Sequence, residues 1–142
     1  MPNNIVNPEE ALVSILKGDS PVIALVGTNV YPSGDVPQGT ARPYITYFRL
    51  SGNRHTSLND GVGNLNQPKF QVDYWGTSYA NSKAVAVAAQ YALTTASGSH
   101  ASMQVDGIRM TDDRDVPDKP IDGTDQYTKR VSQTFQIFVN ES

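Results

Sequence analysis

The chain has 142 residues, 38% of them hydrophobic and 18% charged, with a formal charge of −3 and no cysteine. This is the size of one domain and the composition of a folded one. The missing cysteine excludes disulfides, thiolate metal sites and a Cys nucleophile, while the scatter of only 11 Lys and Arg argues against a phosphate-gripping surface as the main task. The N-terminal MPNNIVNPEE has no basic segment leading into an apolar run. The apolar stretches at 21–26 and 84–89 are too short to span a bilayer. A soluble intracellular product without a signal peptide is therefore the expectation, with no membrane partner.

Asn7-Pro8-Glu9-Glu10 reads as a helix start: a capping side chain, proline at the first helical position, and two acids at the positive end of the dipole. Leu12, Ile15 and Leu16 follow at helical spacing, and Lys17-Gly18 closes the segment, which predicts a helix over 8–17. Ser20-Pro21 repeats the cap-then-proline signal before a short helical piece ending at Gly27. Residues 29–31 read as a brief extended segment. Residues 33–43 are dense in Gly and Pro and read as a loop.

Residues 44–51 (YITYFRLS) are β-branched and aromatic and read as a strand. Residues 52–67 form a long polar loop. Residues 68–75 alternate, with Phe70, Val72 and Tyr74 facing one way and Lys69, Gln71 and Asp73 the other. Gly76-Thr77-Ser78 then caps the longest helix, over about 79–95. Its expected buried stripe is Ala84, Val87, Ala88, Tyr91 and Ala92. Residues 103–110 read as two extended pieces around a turn or bulge at Asp106-Gly107. Residues 111–126 read as a second long loop, rich in Asp. The longest strand follows at 127–140, with Val131, Phe135, Ile137 and Val139 on one face. Arg130, Ser132, Thr134 and Gln136 form its polar face, and its length raises the question of an open edge. Strands that follow one another without helices predict antiparallel pairing. The expected fold is α+β: a mostly antiparallel sheet of four to five strands, with two or three helices packed on one face.

Reactive constellations are sparse. His55 and His100 have no ligand partner at metal-binding spacing. Asp112-Asp113-x-Asp115 lacks the Gly and distal Glu of a full calcium loop. Gly61-Val62-Gly63-Asn64 lacks the Lys-Ser/Thr of a phosphate loop, and no Gly-x-Ser-x-Gly context is present. No catalytic, metal or cofactor residue is expected. Trp75 reads equally as an interface anchor and as a rim residue of the core beside the long helix.

Five segments carry a resemblance when taken in order. They are the 8–17 helix with its EEALVSIL text and the VIALVG stretch leading to Val30-Tyr31-Pro32. Next are Arg42-Pro43-Tyr44-Ile45-Thr46-Tyr47 and the junction Phe70-Gln71-Val72-Asp73-Tyr74-Trp75-Gly76-Thr77-Ser78-Tyr79. The last is Gly107-Ile108-Arg109 before the acidic stretch and final strand. Together they span nearly the whole chain and resemble the tail-completion (tail-terminator, tail-to-head joining) proteins of long-tailed bacteriophages.

The resemblance implies a hexameric ring at the head-proximal end of the tail, in the neck of the virion. Such a ring has no active site, ends the tail tube and docks it to the head connector. Its partners are copies of itself, the tail tube protein and a head-completion protein, and DNA passes through the lumen without specific binding. In such a ring, Asp112, Asp113, Asp115 and Asp118 are candidates to face the lumen and repel phosphate. Trp75, Arg54, His55, Tyr127 and Lys129 are candidates for a subunit or partner interface. The alternative reading is a small ligand-binding domain that uses the sheet face and the 52–67 loop.

Overall fold

The computed structural model of the chain describes residues 8–51, 65–100, 103–118 and 128–140. The helices are α1 (Pro8–Gly18), α2 (Ser20–Val26) and α3 (Tyr79–Thr94). The strands are β1 (Val30–Pro32), β2 (Tyr44–Ser51), β3 (Leu65–Asn66), β4 (Lys69–Trp75), β5 (Gly98–His100), β6 (Met103–Asp118) and β7 (Thr128–Asn140). They form one sheet in the order β1-β2-β4-β7-β6-β5, with β3 pairing beside β4 on β7. The fold is α+β, as expected, with the helices on one face.

The sheet is larger than the four to five strands expected, and it is mixed. β1 runs parallel to β2, with Val30 opposite Ile45, because the 33–43 connection carries the chain back to the end it started from. Every other pairing is antiparallel. β7, the strand expected to be longest, lies in the interior between β4 and β6 and is not an edge; β6, at 16 residues against 13, is longer.

Local chemistry explains the helix ends. Asp19, not Ser20, caps α2: its carboxylate accepts from the Val22 N–H at 3.3 Å, which places Ser20 and Pro21 inside the first turn. The Asn7 cap expected for α1 lies outside the described residues. At α3, Ser78 Oγ accepts from the Asn81 N–H at 3.0 Å while Asn81 Oδ1 accepts from the Thr77 N–H at 2.9 Å. This reciprocal pair satisfies donors that the helix itself leaves unpaired.

One cluster of buried side chains fills the space between the helices and the sheet. Leu12, Ile15 and Leu16 of α1 and Val22 and Val26 of α2 meet Ile45, Phe70, Val72, Tyr74, Phe135 and Ile137. Full burial of each large apolar side chain contributes about 1.5–3 kcal/mol. The buried face of α3 is Val85, Ala86, Ala89, Ala92 and Leu93, which corrects the expected stripe. Ala84, Val87 and Tyr91 point to solvent, and Val87 is 64% and Tyr91 70% exposed. Apolar residues lie on more than one side of the helix, so helical periodicity alone does not choose which side meets the sheet.

Three further expectations change. The bulge at Asp106-Gly107 is present as a register shift between Val105 and Gly107, but it lies within one continuous strand. The acidic stretch expected as loop from Thr111 is strand through Asp118, because β7 offers it a ladder from Thr134 to Thr128. In the expected 52–67 loop, Leu65 and Asn66 pair with Asn140 and Val139; residues 52–64 lie outside the described residues.

Gly76 joins β4 to α3, and its reason is close approach. A Cβ there meets Ser82 N at 2.5 Å and Ser82 Cα at 2.7 Å, both backbone atoms of the first turn of α3. Gly76→Ala should therefore destabilise the chain by about 1–3 kcal/mol, as overpacking does. Gly18→Ala, where nothing lies within 4 Å, should stay within about 0.5 kcal/mol of wild type. Urea unfolding of the two variants checks the contrast.

Candidate assembly surfaces

The helix-free face of the sheet is organised around Trp75, the only tryptophan. Tyr74 turns inward and is fully buried, so its neighbour Trp75 turns outward. Tyr44 on β2 and Arg130 on β7 stand opposite it in register. The Tyr44 and Trp75 rings stack with centroids 5.9 Å apart. The Arg130 and Arg42 guanidinium carbons lie 4.7 and 5.5 Å from the indole centre. Its Nε1–H donates to Thr46 Oγ1 at 3.0 Å. Trp75 thus sits away from α3, half-buried among its cross-strand neighbours, with cations over its ring.

The same covering explains Asp73 and Ser132 in a failed alternation, while Gln136 lies opposite Lys69 and Arg109, away from Trp75. Asp73, Ser132 and Gln136 belong to the polar parity of β4 and β7, where exposure was expected, yet all three are buried. Asp73 is partnered: Gln71 Nε2 donates to it at 3.1 Å and Arg130 Nη1 lies 3.9 Å away. Burying a carboxylate is costly without such partners.

The four candidate acids do not share one face. Asp113 and Asp115 pair with Gln133 and Val131 and turn to the helix side; Asp112 pairs with Thr134 and turns away. Asp115 accepts from Lys83 Nζ at 2.6 Å and from Tyr79 Oη at 2.8 Å. These two hydrogen bonds, Lys83 first, hold its carboxyl below the usual carboxylate value, and the same bond raises Lys83. Both groups are solvated, so the pair adds little to stability. Asp112 lies 3.8 Å from Arg114. For Asp118 the ladder position opposite Thr128 is described. Among the interface candidates, Arg54, His55 and Tyr127 lie outside the described residues, and Lys129 is placed only by its ladder position opposite Pro117.

Beneath α3, the Tyr74 hydroxyl donates to Gln133 Oε1 at 2.8 Å in the core. Burial pushes its ionisation well above the ordinary tyrosine value, with smaller contributions from Asp113 and Asp73. Two open surface depressions are lined by described residues. One of about 510 Å³ lies among Ser14, Asp19, Ala92, Thr95 and His100, and one of about 350 Å³ lies beside Glu9, Val13 and Tyr47. Among the described residues, no three His, Asp or Glu side chains come together as metal ligands. No described helix is long and apolar enough to cross a membrane.

Sequence reasoning had singled out Trp75 but not the Arg42, Tyr44 and Arg130 around it. Their meeting depends on the β2-β4-β7 register, which has no local signal. It also missed the outward α3 stripe. The one available sign was Tyr79 and Tyr91 in an otherwise alanine-rich helix.

A family model described as tail completion protein gp17 matches residues 10–140. Among solved structures, a chain of the "Virion of native gene transfer agent (GTA) particle" has a TM-score of 0.65 at 24% identity, covering 92% of each chain. That likeness shows a shared fold. Comparison with curated proteins yields no match. The chain is a structural protein of the phage tail and a component of the virion. It belongs to the tail completion protein gp17 family.

Two predictions follow from the side-chain geometry. Tyr74→Phe removes a buried hydrogen bond and should cost about 1 kcal/mol at neutral pH. The folded chain keeps the Tyr74 proton above pH 10.0 and the unfolded chain does not. Wild-type stability from this group is therefore complete below 10.0 and falls as pH rises toward the folded-state value. Urea midpoints should thus decline less steeply above about pH 10 in Tyr74→Phe than in wild type, and equal slopes would count against the assignment. For Asp115, a carboxyl NMR titration should place its midpoint below 3.8, moving upward in Lys83→Met.

Proposed function

We propose that this chain is a ring-forming tail-completion protein, which ends the tail tube at its head-proximal end and joins the tail to the head connector. The observation that carries the reading is the family match over residues 10–140. Its partners are then copies of itself, six to a ring as the family resemblance implies, together with the tail tube protein and a head-completion protein.

The surfaces support an assembly role in preference to a reaction. The two depressions are open, and the perturbed groups have structural partners: Asp115 is tied to Lys83, and Tyr74 is sealed in the core. We therefore read no catalytic activity and no cofactor. From Asp106 to Asp118, β6 pairs on one side with β7 and with no other described residue on the other. Such an edge is a template for a neighbouring chain, and its charges limit pairing with wrong ones. The distal part of the β6–β7 ribbon is the segment we assign to the lumen. There Asp112, Asp113, Asp115 and Asp118, spread over both faces of the ribbon, repel the phosphates of passing DNA.

Deleting the gene should leave filled heads intact, with tails that are over-long or unable to join them. Electron microscopy of the lysate checks this. Infectious particles of normal form in the deletion would contradict the proposal.

A further inference from the structure

A closed ring needs two unlike surfaces on each subunit, one to give and one to receive. The chain shows two candidates. Among the described residues the exposed large hydrophobics are Ile23, Phe48, Leu50, Tyr79, Val87 and Tyr91. Three of these six lie on α3 on a single i+4 ridge, Tyr79–Lys83–Val87–Tyr91, with Lys83 as its fourth member. The only charged residue of α3 is Lys83, and it is held by Asp115. A helix face rich in tyrosine and poor in charge has the composition of an interface core.

Phe48 lies on the opposite side of the molecule, sharing parity with Tyr44 and Thr46 on the helix-free face of β2; Leu50 is near it in the strand, at the register shift between Arg49 and Ser51. The charges complement this division. The helix-free face carries Arg42, Lys69, Arg109, Arg114 and Arg130 against Asp73 and Asp112. The helix side carries Glu9, Glu10, Asp19, Asp113 and Asp115 against Lys17, Arg49 and Lys83. Among the described residues assigned to a face, one side is net basic and the other net acidic.

We propose that neighbouring copies of this chain join through these unlike surfaces: the α3 row of Tyr79, Val87 and Tyr91 on one copy seats against Phe48, Leu50 and the basic sheet face of the next. This rests on the ring reading and deepens it. A self-matched α3–α3 contact would satisfy the helix row, but it would bring two acidic sides together and leave Phe48 and Leu50 uncovered. Head-to-tail contact covers both apolar patches and pairs opposite charges, which sets orientation as well as attraction.

The test uses the full chain and native mass spectrometry. Val87→Asp and Leu50→Asp change exposed side chains, and far-UV circular dichroism confirms that each variant folds. Tyr91→Ser and Phe48→Ser replace any variant that does not. Wild type should form closed rings, and each variant alone should remain monomeric. An equimolar mixture of the two should give one-to-one heterodimers and no ring, because only one intact pair of surfaces remains between them. Rings from either variant, or a mixture that stays monomeric, overturn the inference while the ring reading stands. Loss of assembly in Val87→Asp with normal rings in Leu50→Asp also overturns it, and assigns the α3 row to a different contact. A wild-type chain that stays monomeric overturns the ring reading itself, and this inference with it.

Discussion

Strand β7 is the constraint on which the remaining elements depend. It pairs with β4 from Lys69 to Trp75, with β6 from Gln104 to Asp118, and with β3 at its end. On the helix side its Val131, Phe135, Ile137 and Val139 are buried in the core. A strand hydrogen-bonded on both edges and packed on one face permits little choice of register, since a one-residue slip would send this apolar set to the wrong side. That register in turn sets Arg130 opposite Trp75 and Gln133 beneath α3.

The two faces of the sheet are then built by different physics. The helix side is a packed apolar core closed by α1, α2 and α3. The other side has no helix, and it buries Thr46, Asp73 and Ser132 under its own long side chains. Aromatic stacking and guanidinium–indole contact hold that cover in place around Trp75. Among the described residues the result is a partly aromatic sheet face rich in arginine, a sparsely charged helix row and a strand edge with no partner beyond Val105 of β6.

Much of this was legible in the sequence because the signals are local. The Pro8-Glu9-Glu10 start, the alternation of Phe70, Val72 and Tyr74, and the Gly76-Thr77-Ser78 junction each act within a few residues. The ordered set of such segments also carried the family resemblance. What was not legible is non-local. The parallel direction of β1 depends on how the 33–43 connection returns. The strand at 111–118 runs against the low β-propensity of Asp and exists because β7 supplies its partners. The buried side of α3 was misread because alanines surround that helix, leaving the sheet to decide between apolar faces. Asp73 and Ser132 are expected outside because alternation does not reveal that a polar face will be covered by arginine and tryptophan.

The central claim, that this chain completes the tail at one end, has a direct measurement. Gold-labelled antibody to the chain, applied to isolated tails and viewed by electron microscopy, should mark a single end, the one that meets the head. Label distributed along the tube, or found only at the opposite tip, would contradict the account.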